Sequence, residues 1–467
     1  MVLVPVVAVG AALVAAVTVG LGDRPARLVA GPNRFVNADR PGIDAHNSPA
    51  VATHPTRPEV LVVADRIDTP RFSCSVSVSN NAGLTWRTLT VPLPPGAPNC
   101  HGPDVGFDGN GDLLLLTTAT GGRFNQPVGV WLQRIVDPAG LGSPQAVAVP
   151  VAGSEAFHAR LAVAGERVFV TWVQAQPGAA EVPLGFPPRP NPVLLARSDD
   201  GGRTFSAPAR VGEDDRRAIR PTITVGAGDE VVVTALDLGD DVLDYQAEHQ
   251  GQGGEPSDER WRIVAWVSED GGSRFGPASV VADGLVPPER IIVNLAPGPS
   301  VARDATTGRL YVAWDAGRGD GREVFLAHSD DGGRMWSASI AIVPRPRAQF
   351  LPALAVAPDG RVDVVFYDRS ADPADVMAEV VLASSWDAGA TFVVETISDV
   401  AFDSHIGFGS AQGIPQLGSQ LAVSSREDRV LAFWADTRQG SVATNIQDLA
   451  TTTVEVVPAT GPRLPLR

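Results

Sequence analysis

Ser329-Asp-Asp-Gly-Gly-Arg-Met-Trp336 decides how this chain is read, because four more copies of the same eight-residue pattern are spread along it. They are Ser79-Asn-Asn-Ala-Gly-Leu-Thr-Trp86, Ser198-Asp-Asp-Gly-Gly-Arg-Thr-Phe205, Ser268-Glu-Asp-Gly-Gly-Ser-Arg-Phe275 and Ser385-Trp-Asp-Ala-Gly-Ala-Thr-Phe392. Each lies where an apolar strand breaks into a turn and another strand follows. The template is Ser-x-Asp-x-Gly-x-Thr-aromatic. A short polar side chain bonds the backbone of its own turn, the glycine supplies positive φ and the closing aromatic caps the sheet. The third positions, Asn81, Asp200, Asp270, Asp331 and Asp387, are therefore assigned to holding turns rather than to touching a ligand.

About 30 to 50 residues upstream of each copy stands a second recurring unit: a short strand, a tight polar turn and an apolar strand that often ends in an acid and an arginine. It occurs seven times: Pro49 to Ile67, Pro103 to Thr118, Ala159 to Val173, Pro221 to Asp237, Pro299 to Asp315, Pro352 to Arg369 and Gln420 to Arg438. The second and seventh units lack a clear eight-residue copy, although Val136 to Ser143 and Asn445 to Val454 fall where degraded ones would stand. Repeat starts spaced 50 to 80 residues apart fit one four-stranded propeller blade each. Helical periodicity is absent after the N-terminus. The expected fold is a single all-β propeller over residues 41–460, of seven blades, with six as the alternative.

The template resembles the Asp box, or BNR repeat, of the sialidase-like β-propeller superfamily, whose sialidases have six blades. The resemblance covers nearly the whole repeat region. It implies a glycan-directed site in which an arginine triad holds a sugar carboxylate, a glutamate-activated tyrosine is the nucleophile and an aspartate is the acid/base. The family's Arg-Ile-Pro motif is missing, since Arg66-Ile67-Asp68 and Arg290-Ile291-Ile292 both lack the proline.

Composition agrees with one closed ring. The 467 residues include 48 Gly and 40 Pro, as many short strands and tight turns require. All 37 basic residues are arginine, and a net charge of −16 argues against nucleic acid or an anionic membrane surface as a partner. Met1 to Gly22 is nearly all Val, Ala, Leu and Gly, long enough to span a bilayer. Without a basic start or a clean cleavage site, a signal peptide and a membrane anchor both stay open; either implies export. Residues 23–40 read as a linker or closing segment and 461–467 as a tail. Export favours a disulfide between the only two cysteines, Cys74 and Cys100, which would staple the first two blades together. A metal site at Cys100 and His101 lacks supporting spacing, and no cofactor is expected.

Propeller topology places the copies and the short first-to-second-strand turns on one face. The long segments fall on the other: Gln176 to Asn191, Asp237 to Glu259, Asp283 to Pro297 and Phe402 to Leu417. Loops elaborating one mouth of a rigid scaffold are where binding usually resides. At the ends of the second strands on that mouth stand Asp65 and Arg66, Asp315 with Arg318, Tyr367, Asp368 and Arg369, and Asp436 with Arg438; at the starts of the first strands stand Asp104, His158, Arg160 and Arg220. Tyr367, Asp368 and Asp104 are the catalytic candidates, and Arg66, Arg220, Arg318, Arg369 and Arg438 the substrate-binding ones, since converging guanidinium groups bind a carboxylate through paired, charge-assisted hydrogen bonds. Because an Asp/Arg pair recurs in several blades, inter-blade bonding is the competing role for Asp65, Asp315 and Asp436. The two functional expectations are an exported, monomeric, sialidase-like exo-glycosidase and a non-catalytic propeller that binds polysaccharide, glycoprotein or another exported protein.

Overall fold

The computed structural model describes residues 27–37, 45–69, 71–121, 126–140, 146–153, 155–174, 191–212, 216–226, 228–239, 260–286, 298–318, 321–407 and 417–458. The N-terminal Met1 to Gly22 segment, the tail and most of the four long loops named above lie outside them.

Seven antiparallel sheets stand around one axis. Two short strands come first, β1 (Arg27–Ala30) and β2 (Arg34–Phe35). Blade 1 holds β3 (His46–Thr53), β4 (Leu61–Ile67), β5 (Ser73–Ser79) and β6 (Arg87–Thr88); blade 2 holds β7 (Asn99–Phe107), β8 (Leu113–Gly121), β9 (Gln126–Ile135) and β10 (Ala146–Ala152). Blade 3 holds β11 (Ala156–Ala164), β12 (Arg167–Gln174), β13 (Val193–Ser198) and β14 (Ala209–Arg210); blade 4 holds β15 (Ala218–Val225), β16 (Val231–Asp237), β17 (Trp261–Ser268) and β18 (Ser279–Leu285). Blade 5 holds β19 (Ser300–Arg303), β20 (Leu310–Arg318), β21 (Gly321–Ser329) and β22 (Ile340–Ala341); blade 6 holds β23 (Gln349–Val356), β24 (Val362–Asp368), β25 (Met377–Ser385) and β26 (Val393–Thr396), with β27 (Phe402–Asp403) beside β25. Blade 7 holds β28 (Ala422–Ser425), β29 (Arg429–Asp436) and β30 (Asp448–Val457), and takes its outer strand from the other end of the chain, because β1 pairs with β30. The ring is thus closed by hydrogen bonds between the two ends of the described chain. Leu28, buried in the cluster that also holds Trp434 and Val454, adds apolar burial to that closure.

The second strand of each blade is an apolar run buried on both faces, for example Val231 to Leu236 and Val362 to Tyr367, because a blade is packed between two neighbours. Most of the apolar clusters therefore join residues of adjacent blades. One of them sets Leu114 and Leu132 of blade 2 against Val170 and Trp172 of blade 3.

The five eight-residue copies connect the third strand of a blade to the fourth. In blade 5 Ser329 Oγ donates to Asp331 Oδ1 at 2.8 Å and accepts from Gly333 N at 2.8 Å, while Met335 N donates to Asp331 Oδ1 at 2.9 Å. In blade 3 Thr204 adds its hydroxyl on Asp200 Oδ2 at 2.6 Å. These donors hold the Asp200 carboxyl below the usual range, the Thr204 hydroxyl foremost. The glycine is required twice over: Gly202 has φ 79° and a Cβ there would meet Leu132 Cδ2 of blade 2 at 2.4 Å. The aromatic then packs toward the preceding blade, as Trp86 does edge-on against Phe433 of blade 7. In blade 2 Val136 to Gly140 follows the third strand, the rest of Val136 to Ser143 lying outside the described residues, but Asn445 to Val454 is no degraded copy. It runs into β30, and blade 7 needs no such turn because its outer strand comes from the N-terminal side.

Candidate functional site at the channel mouth

Each first strand starts at the axis, and there the sequence breaks the ladder. Register shifts interrupt the pairing between Asn47 and Ala50, His101 and Asp104, Phe157 and Arg160, Ile219 and Thr222, and Phe350 and Ala353. Inside each bulge sits a residue with positive φ: Ser48, Gly102, His158, Arg220 and Leu351. Proline follows four of the five, at 49, 103, 221 and 352, and the same step is spelled Gly298-Pro299 in blade 5. A bulge bends its strand and re-aims side chains. Here it re-aims the residues at the start of five inner strands.

The result is a cavity of about 190 Å³ lined by every blade, with Asp104, Arg160, Arg220 and Gln420 as its polar wall and Leu351 and Leu354 opposite. Arg160 donates to the amide oxygen of Gln420 across the channel. Arg220, 7% exposed, donates through Nη2 to the Ser419 carbonyl at 2.6 Å, and its backbone N–H points at His158 Nδ1 at 3.3 Å. Asp104 accepts from its neighbour Val105 N and from Leu161 N of the next blade, both at 2.9 Å. Beside them Arg66, 2% exposed, grips Asp68 through Nε and Nη2 and reaches His101 Nε2 through Nη1 at 3.2 Å. A guanidinium has no lone pair, so His101 Nε2 is the acceptor and the imidazole is neutral.

Electrostatically this is a concentration of positive charge. Burial, then Arg160 and Arg66, push the Arg220 pKa well below the usual arginine value. Burial followed by the three arginines holds His101 well below the ordinary histidine value, and His158 is lowered by burial, Arg220 and Arg160 in turn. Asp104 is raised by burial despite Arg160. Among the described residues no carboxylate pairs with Arg220. Guanidinium groups can pair with an anion that has a planar, two-oxygen head through two parallel hydrogen bonds. Among the described residues no group of three or more His, Cys, Asp or Glu side chains is placed to hold a metal ion.

The structure therefore brings together Asp104, Arg66 and Arg220 of the sequence candidates, with His158 and Arg160 beside them, and sends the others elsewhere. Tyr367, 0% exposed, lies between blades 6 and 7 with its hydroxyl donating to Ala435 O at 3.2 Å and accepting from Ala435 N at 3.0 Å. Burial raises its pKa above the ordinary tyrosine value. A side chain so enclosed reaches no ligand, and the nucleophile role does not fit it. Asp368 is buried too, accepting from Gln349 Nε2 at 3.2 Å and Arg345 Nη1 at 3.0 Å. Arg369 stacks over Phe350 and donates to Ser404 Oγ at 2.7 Å; Arg438 is held by Asp436 and Asp399. Arg369 bonds within blade 6 and Arg438 reaches from blade 7 to Asp399 past the end of β26, so neither joins the arginine cluster. Arg318 ends β20, and its side chain lies outside the described residues. Asp65, Asp315 and Asp436 pair with partners in their own blades, His46, Arg322 and Arg438 respectively, where the sequence suggested bonds between blades. Sequence reading missed His101, Ser419, Gln420 and Gly298. Aligning the seven repeats on their Pro49-type step would have put all four at or beside the bulge.

Cys74 and Cys100 form a disulfide with Cα atoms 5.6 Å apart. It joins β5 to β7, and so blade 1 to blade 2. Cys74 lies opposite Arg66 in the ladder and Cys100 precedes His101, so the bridge between β5 and β7 lies beside the Arg66–His101 contact between β4 and β7.

Neither a known protein family nor a curated protein matches the sequence. Solved structures do. The chain is similar to a protein of unknown function from Dyadobacter fermentans, at 15% identity and a TM-score of 0.50 over 92% of this chain and 99% of that one. It is similar to a polysaccharide lyase, an ulvan lyase, at 11% identity and a TM-score of 0.53 over 93% and 97% of the two chains. A Hadza microbial sialidase matches at 15% identity with a TM-score of 0.45, over 89% and 68%. The likeness to the ulvan lyase and to the Dyadobacter fermentans protein is one of fold alone, and the chain is a seven-bladed β-propeller of four-stranded antiparallel blades.

Proposed function

We propose that this propeller is exported and recognises a carboxylate-bearing glycan at its channel mouth, with Arg160 and Arg220 as the clamp and Arg66 beside them. The observation that carries this reading is Arg220: buried in the channel wall, next to two other arginines and without a carboxylate partner among the described residues. A buried charge is strongly disfavoured unless something compensates it, and a bound carboxylate would do so. The disulfide supports export into an oxidising compartment. Sialidase-like hydrolysis is the less supported chemistry, because Tyr367 is out of reach and Asp104 is the one carboxylate lining the cavity among the described residues.

A second reading, cleavage by elimination, is favoured by the neutral imidazoles beside three arginines. Arginines on a uronate carboxylate acidify the adjacent C5–H. A neutral His101, released from Arg66 by the incoming carboxylate, accepts that proton while the C4–O bond breaks and a C4=C5 double bond forms. Protonated Asp104, favoured by its raised pKa, returns a proton to the leaving oxygen. That the similar ulvan lyase is a polysaccharide lyase agrees with this chemistry.

The test is calorimetric titration with oligoglucuronides, sialylated oligosaccharides and neutral oligosaccharides of equal length, with ultraviolet detection of unsaturated product and a reducing-end assay alongside. Binding confined to acidic glycans and weakened at least about tenfold in Arg220→Ala supports recognition. Equal binding of neutral and acidic chains rejects it. Unsaturated product assigns elimination, and new reducing ends without it assign hydrolysis.

A further inference from the structure

The backbone of the bulge is strained where it need not be. Across the ring the equivalent position is glycine at 102, 298 and 418, and the left-handed conformation costs Gly102 and Gly418 nothing. Ser48, His158, Arg220 and Leu351 adopt it with side chains, at φ between 52° and 54°. Two of these are held by folding contacts. Leu351 packs in the core cluster with Phe350 and Leu417, and Ser48 Oγ accepts from Ser419 N at 2.9 Å. His158 and Arg220 are different, since both are ionisable groups whose charged forms burial disfavours. Their folding contacts, Arg220 Nη2 on Ser419 O at 2.6 Å and Arg220 N–H on His158 Nδ1 at 3.3 Å, do not compensate a buried guanidinium charge, and among the described residues no carboxylate pairs with Arg220.

The neighbours are cut to fit Arg220. A Cβ on Gly298 would stand 2.7 Å from Arg220 Cβ and 3.2 Å from its Nε, so the missing side chain of blade 5 is the bed on which the arginine of blade 4 lies. On its other side His158 Nδ1 of blade 3 faces the Arg220 backbone N–H. Three consecutive blades thus present one guanidinium to the channel.

We propose that the bulge position of blades 3 to 5, His158, Arg220 and Gly298, is the specificity-determining element of the mouth, kept in a strained backbone because ligand recognition rather than folding requires these side chains. Strain held at a binding site is the expected trace of such a trade. This inference rests on the acidic-glycan reading, and its test separates the two. Thermal unfolding and titration with an oligoglucuronide are measured for the intact protein and for Arg220→Ala, Arg220→Gly and Gly298→Ala. Arg220→Gly is expected to melt above both Arg220→Ala and the unmodified protein, by roughly 1–2 °C, while losing affinity at least about tenfold. Gly298→Ala, with Arg220 present but displaced, is expected to lose affinity several-fold more than its small change in Tm accounts for. Arg220→Gly melting below Arg220→Ala, or binding as the unmodified protein does, overturns the proposal. Should the unmodified protein bind no acidic glycan, the acidic-glycan reading fails by itself, and the order of melting temperatures still decides whether the arginine is held against strain.

Discussion

Tyr367 shows how a residue's chemistry is set by its surroundings. In the sequence it is a tyrosine between an acid-rich strand end and an arginine; in the fold it is a spacer whose hydroxyl serves both backbone groups of Ala435. Tyr367→Phe is therefore expected to cost roughly 1–3 kcal/mol of stability by stranding buried polar groups, with affinity for acidic glycans unchanged; denaturant melts and titration check the two halves. The channel histidines predict a pH dependence. Their folded pKa values lie well below the ordinary histidine value of 6.5, so the unfolded chain binds more protons once pH drops under that value. The stability they contribute is fully present above about pH 6.5 and is lost as pH falls toward their folded values. Asp104 has the opposite sign: with its pKa raised, the stability it contributes is present below the usual carboxylate range and lost as pH rises through the folded value. His101→Gln should flatten the slope of Tm against pH below about pH 6.5, and an unchanged slope would count against a neutral buried imidazole.

Among elements, the eight-residue turns were fully legible, because their bonds are local: Ser, Asp, Gly and Thr lie within eight residues and close on one another. Ser329→Ala removes the hydroxyl that accepts from Gly333 N and is expected to cost roughly 1–3 kcal/mol. Glycan affinity should stay unchanged, since this turn lies on the face away from the mouth. A large loss of affinity at equal stability would contradict that separation. The disulfide was legible for a different reason, as the only possible pairing of two cysteines in neighbouring units. Its removal in Cys74→Ser/Cys100→Ser closes no covalent loop across the separation of 26 residues, and should lower stability by roughly 2–4 kcal/mol in a denaturant titration. Glycan affinity should fall as well, because Arg66 and His101 flank the bridge.

At the scale of the whole molecule, the ring is closed without a covalent link at the joint where distant parts of the chain meet, β1 and β2 on β30, through ladder hydrogen bonds and the burial of Leu28. A chain lacking residues 27–37 exposes β30 and uncovers the cluster around Leu28. It is expected to unfold at markedly lower temperature and to associate through the bared strand, which light scattering during a thermal melt would detect. Unchanged melting would mean that blade 7 stands without its borrowed strand. This joint was the reason the seventh unit lacked a copy of the turn, a point invisible to a reading that went along the chain in one direction.

The sequence by itself determined the architecture, because a propeller is written in short-range terms: apolar runs, tight turns and a count of seven. It also put Asp104, His158, Arg160 and Arg220 at strand starts on one face. What only the tertiary structure decided is which polar groups share a space. Tyr367, Arg369 and Arg438 look in the sequence like Arg66 and Arg220, since each stands at or near the end or start of a strand on the same face. Their separation into wall and channel depends on bulges in five of the inner strands and on contacts across the ring, such as Arg220 to Ser419, 199 residues apart. Local pattern carries turns and strands because their bonds are made within a few residues. It does not carry a site whose members meet only after seven blades have closed around an axis.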